Sequence, residues 1–97
     1  MVISIFAARQ PAPARPLTLE QIRQRLYLAL ADCKDMSAQR AIYRINLAAT
    51  PEELWLLRCD LHQCIARVHS ESEATRRIND LRDAFEGWVP ARQLTPI

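Results

Sequence analysis

The chain carries one glycine, Gly87, among its 97 residues. Phosphate-cradling loops and tight hairpins depend on glycine for positive φ and for close backbone approach. A chain this poor in glycine has few ways to build either. Cysteine is scarce as well. Cys33, Cys59 and Cys64 are an odd number, all within helix-like sequence, which argues against a disulfide framework and for a reducing compartment. Long apolar runs are missing. No stretch approaches the ~18 apolar residues of a membrane span. The opening run from Val2 to Ala8 has no basic n-region before it and is short for a signal h-region. The expected location is the cytoplasm, with no membrane contact.

What the chain does have is an ordinary globular balance, 49% hydrophobic and 25% charged residues. Its length allows one domain, and a small domain still buries about 60% of the surface its unfolded chain exposes. The net charge of +2 selects no partner. Residues 1–49 carry seven basic and three acidic side chains, and residues 50–97 carry six and eight. Every basic residue but Lys34 is arginine. Arginine suits phosphate and carboxylate recognition, although a GC-rich genome produces the same bias.

Three prolines in residues 9–16 mark an extended linker, which detaches residues 1–8 as an apolar tail. Residues 17–89 read as the folded domain and residues 90–97 as a flexible tail. The domain predicts an all-α fold, a compact bundle of four short helices with the third at its centre. The first helix starts at Thr18 with Gln21 as capping-box partner. Its seam is Leu19, Ile22, Leu26, Ala29/Leu30 and Cys33, and it should end near Asp35. The second spans about Ser37 to Ala49, with Ala38, Ala41/Ile42, Ile45 and Ala48/Ala49 inward and Tyr43 and Leu47 outward. The third has Thr50 as cap, Pro51 first and Glu53 as box partner, and should run to about His69. The fourth begins at Ser70 with Glu73 as box partner. Its seam is Ala74, Ile78, Leu81, Phe85 and Trp88, and its outer face holds Glu73–Arg77, Arg76–Asp80 and Arg82–Glu86.

At 100° per residue the third helix has two apolar seams. One is Leu54, Leu57, Leu61, Cys64, Ile65 and Val68. The other is Trp55, Cys59, His62, Ala66 and His69. A helix apolar around most of its girth is central to a core or touches two partners. Either the first and fourth helices pack on both sides of it, or the second seam meets a twin chain or another protein.

Chemistry has thin support. Cys59, His62, Cys64 and His69 suggest zinc, but Cys64 lies roughly 140° from Cys59 on a helix, so the four cannot converge tetrahedrally. Cys59 with His62 has the residue types of a nucleophile and base, without an evident oxyanion donor. His62 and His69 could make a contact pH-sensitive, or could simply reach solvent. Arg23, Arg40 and Arg44 with Tyr43 form a basic face that could hold nucleic-acid phosphates. Glu52 and Glu53 argue against a helix-turn-helix, whose recognition helix presents its N-terminus to the bases. Tryptophan and arginine are enriched in interface hot spots, and Trp88 is a further anchor candidate. The sequence thus predicts a non-enzymatic adaptor or regulator without cofactor or metal. It would bind a protein partner, as a homodimer, through Trp55, Cys59, His62, His69 and Trp88. The alternative is a nucleic-acid-binding regulator.

Overall fold

The computed structural model describes residues 16–96. The apolar tail and most of the proline linker expected over residues 1–16 lie outside them. The described residues form an all-α bundle: α1 (Leu19–Ala29), α2 (Met36–Leu47), α3 (Pro51–Trp55), α4 (Arg58–Val68) and α5 (Glu71–Asp80), followed by 3-10 turns at Arg82–Phe85 and Ala91–Gln93. Among them no helix is long and apolar enough to cross a membrane.

Helical periodicity places the core where expected. Ile22, Leu26, Leu30 and Cys33 of the first seam, and Ala38, Ala41, Ile45 and Ala48 of the second, are buried. Small side chains on α2 let α1 and α4 pack on it. Ala74, Ile78, Leu81 and Phe85 complete the core from the last arm. The caps differ in detail. Thr18 and Gln21 form a reciprocal box. Thr50 accepts from the Glu53 N–H (3.2 Å), but the Glu53 carboxylate reaches the Ala49 N–H instead (2.7 Å). Ser70 caps the Glu73 N–H (3.1 Å), while the Glu73 carboxylate is held by Arg76 and Arg77. Two predicted boxes are therefore one-sided.

Two helices are shorter than periodicity predicts. After Ala29 the chain tightens into successive i→i−3 bonds, including Cys33 N–H to the Leu30 carbonyl at 2.9 Å, so α1 ends well before Asp35. The last arm leaves the α-helix at Leu81, and Arg82 turns from Glu86 to the carbonyls of Asn79 (3.2 Å) and Leu94 (3.4 Å). Leu94 packs against the core, so the segment expected to fray folds back.

The third predicted helix is two helices. Leu56 and Leu57 form a turn between α3 and α4, with the Leu57 N–H on the Leu54 carbonyl at 3.0 Å. Neither residue breaks helices by propensity, so the cause is tertiary. Trp55 is 5% exposed and meets Phe85 edge-on, with ring centroids 5.1 Å apart. Arg58 folds back over the indole, 4.2 Å from its centroid, and donates to the Trp55 carbonyl at 3.0 Å. A continuous helix would keep Trp55 in line with Cys59. The turn rephases the chain and sends Trp55 inward.

With so little glycine, the ends of α1, α2 and α5 are closed by arginines. No non-glycine residue among those described has positive φ, and Gly87 follows the 3-10 turn, so the left-handed C-cap is absent from the α-helix ends. Arg23 donates to the last carbonyls of α2, Ile45 (3.3 Å) and Ala48 (2.6 Å). Arg77 reaches the Ala29 carbonyl at the end of α1 (3.1 Å), and Arg25 reaches the Asp80 carbonyl at the end of α5 (3.4 Å). Cationic donors at helix C-termini satisfy orphan carbonyls and complement the dipole. Gly87 is used in the final loop. It has φ +90, and a Cβ there would come within 2.6 Å of the Pro16 ring.

Candidate functional site

The second seam of the third helix does not survive as a surface. Trp55 belongs to the core. His62 is half-buried, its Nε2 3.1 Å from the Thr75 hydroxyl on α5, and Ala66 packs against the core. Cys59 is exposed. His69 sits at the end of α4, with Nε2 2.9 Å from Asp32 Oδ2. α4 and α5 form the most extensive helix pair, so the last arm covers the middle of the seam. Trp88 is 38% exposed and donates from Nε1 to the Leu17 carbonyl at 2.7 Å. The five partner-binding candidates thus lie in separate environments rather than on one face.

His69 instead meets Asp32 and Cys33, their ligand atoms all within 4.8 Å of one another. A metal could be imagined there, but Arg77 already occupies the cation's position. Its guanidinium is bidentate on Asp32 (2.8 and 3.1 Å), contacts Glu73 Oε2 at 2.6 Å and lies 3.4 Å from His69 Nε2. The Asp32 carboxyl is held below the usual carboxylate range, chiefly by the Arg77 hydrogen bonds. Burial, then the neighbouring Asp32, pushes the Cys33 thiol up. A protonated, buried thiol is a poor nucleophile. This cluster ties α1, α4 and α5 together.

The basic face divides along the same lines. Arg23, half-buried, caps α2 and pairs with Glu20 at 3.0 Å. It is therefore not a companion of Arg40 and Arg44. Those two line a groove between α2 and α4, a cavity of about 160 Å³. From α2 come Ser37, Arg40, Ala41 and Arg44, spaced i, i+3, i+4, i+7. From α4 come Asp60, Gln63, Cys64 and Arg67 at the same spacing. The antiparallel helices present matching stripes. Arg44 pairs with Asp60 at 2.9 Å across the groove. Arg40 and Arg67 are exposed and have no hydrogen-bond or ion-pair partner among the described residues. Cys64 is buried on the floor, and burial raises its thiol, so the floor carries no thiolate charge at neutral pH. Charges lining the groove are three arginines against one aspartate.

Arg44 also borders a second depression of about 190 Å³, lined by Leu47, Ala48, Glu53 and Leu57. Around it are exposed apolar side chains. Leu47 is 63% exposed, Tyr43, four residues earlier on the same helix face, 64%, and Leu56, next to Leu57, 72%. Arg40, Arg44, Tyr43 and the outward Leu47 were visible from sequence. Ser37, Arg67 and Leu57 were not, because their role depends on how α4 is phased against α2 after the turn at Leu56–Leu57. Comparison of the chain with protein-family models, with curated proteins and with solved structures finds no match.

Proposed function

We propose that this protein is a small non-enzymatic binding module that docks an acidic segment of a partner protein on the α2–α4 face. The observation that carries the reading is the pair of unpartnered arginines, Arg40 and Arg67, in a groove that Arg44 joins to the Leu47–Leu57 notch. Charged groups set register and encounter rate, and an apolar anchor in a notch supplies the desolvated centre. Burying an exposed leucine or phenylalanine side chain of a partner would contribute about 1.5–3 kcal/mol.

A second copy of the chain is a weaker occupant. A two-fold interface is self-complementary, so one centred on this groove would oppose arginines to arginines, and like-charge juxtaposition costs several kcal/mol. The seam that suggested a homodimer is divided between core and α5. Nucleic acid is the second reading, favoured by Arg40, Arg44 and Tyr43. It is weakened because Arg23 is committed to α2 carbonyls, which leaves a short groove in place of an extended basic track.

Selection of displayed random peptides on the full-length protein tests the proposal. Recovered peptides should combine Asp or Glu with a nearby large apolar residue, and should lose binding to an Arg40→Glu/Arg67→Glu variant and to Leu47→Asp. Peptides without acidic enrichment, or unaffected by these substitutions, would sink it.

A further inference from the structure

The α2–α4 groove holds two arginines, Arg40 and Arg67, that have no protein acceptor among the described residues. Its lining residues sum to +2, from Arg40, Arg44 and Arg67 against Asp60. Asp35 faces the Cys64 floor from the start of α2, where its carboxylate accepts from the Ala38 N–H at 3.0 Å and the Ser37 hydroxyl at 3.4 Å and lowers the local sum to +1. Donors stand on several sides of the cavity. The Arg40 and Arg67 guanidinium groups have no protein acceptor among the described residues, and the Gln63 amide comes from α4. A planar carboxylate offers two oxygens in one plane and a single charge. A phosphate monoester offers three acceptor oxygens in a tetrahedral array and about −1.5 to −2 charge at pH 7.

We infer that the groove between α2 and α4 is a phosphoserine- or phosphothreonine-binding site, in which Arg40 and Arg67 clamp the phosphate and Arg44 closes the end toward the apolar notch. The inference rests on the reading of this face as a protein-docking surface, and gives that surface a condition, partner phosphorylation. Arginine clusters are a recurrent means of reading phosphorylated segments, because guanidinium–phosphate pairs are bidentate and charge-assisted. A phosphodiester strand carries one charge per phosphate and rewards a long basic track. A compact pocket with two free guanidinium groups suits one dianion better. Arg40 and Leu47 are seven residues apart on α2, a rise of about 10 Å. An extended peptide covers that in about three residues, so a large apolar side chain about three positions from the phosphate would reach the notch.

The test uses the full chain and three short peptides that carry leucine three residues from a phosphoserine, a glutamate or an unmodified serine. Oligothymidylate is the fourth probe. Binding is followed by the arginine Nε–H resonances in NMR and by titration calorimetry. The phosphopeptide should bind at least about tenfold tighter than the glutamate peptide, consistent with stronger charge-assisted bonding. It should shift the Arg40 and Arg67 signals, and Arg40→Gln/Arg67→Gln should abolish the preference while leaving the circular dichroism unchanged. Equal affinity for the glutamate peptide would overturn the phosphate assignment and leave the docking face intact. Tighter binding of oligothymidylate at the same arginines would replace it with the nucleic-acid reading. Silence of the Arg40 and Arg67 resonances toward every probe would overturn both the inference and the docking face.

Discussion

Replacing Trp55 with alanine should unfold this protein more readily than any change on its exposed faces. The side chain is 5% exposed, packs against Phe85 and carries Arg58 on its other side. A buried tryptophan covers about 150–250 Å², which at about 25 cal/mol per Å² is about 4–6 kcal/mol. Incomplete collapse of the cavity adds to the loss, and unfolded-state burial subtracts from it. The expected cost is about 3–5 kcal/mol, the usual range for Trp→Ala in a core. A domain this small holds about 5–15 kcal/mol in all. At about 4–8 °C per kcal/mol, melting should fall by at least about 12 °C. Trp88→Ala is the control. It loses one hydrogen bond, about 1 kcal/mol, and part of a half-exposed ring. Urea titration followed by far-UV circular dichroism compares the two without relying on the fluorophore removed. If Trp55→Ala costs under about 1 kcal/mol, the inward placement of Trp55 is wrong.

Three further outcomes follow from the same structure. Gly87→Ala should destabilise by about 1–2 kcal/mol from the left-handed backbone alone, plus the contact with Pro16, measured by thermal melting. Arg23→Ala should cost about 1.5–3 kcal/mol because it strips charged donors from two α2 carbonyls, whereas Arg40→Ala should stay within about 0.5 kcal/mol; equal effects in denaturant titrations would contradict the division of arginines into capping and free. Hydrogen bonds from Arg76 and then Arg77 pull the Glu73 carboxyl from 4.5 to about 2. A depressed folded-state value means the stabilisation is complete above about pH 4.5 and disappears as pH falls toward about 2. Wild type should therefore exceed Glu73→Gln at neutral pH, with the gap closing over that window in acid-unfolding curves.

The apolar periodicity of α1, α2 and α5 was legible because burial is enforced at every turn of a helix. Ala38, Ala41, Ile45, Ala74 and Ile78 are core residues that spacing alone identifies. Helix ends were less legible. Ala29 ends α1 where Arg77, distant in sequence, takes its carbonyl, and local residues give no warning. The break at Leu56–Leu57 was invisible for the same reason. Two leucines read as helix, and the contact of Trp55 with Phe85 that accompanies the turn lies far away in sequence. That break removed Trp55 from the expected seam, while Cys59, His62 and the C-cap His69 stay on one unbroken helix whose middle α5 covers. Half of the groove was visible, in Arg40 and Arg44. Its other wall was hidden because nothing in the sequence fixes how Arg67 on α4 is phased against α2.

The arginine caps have a consequence for motion. A glycine cap is made within its own helix, so that helix can open at its end without disturbing its neighbours. Here the α2 terminus is closed from α1, the α1 terminus from α5, and the α5 terminus from α1. Each of these three helix ends is thus also a contact between helices. Amide hydrogens in the last turns of α1, α2 and α5 should exchange with solvent by way of larger, shared openings rather than by independent fraying. The scarcity of glycine makes the bundle's ends members of one cooperative unit.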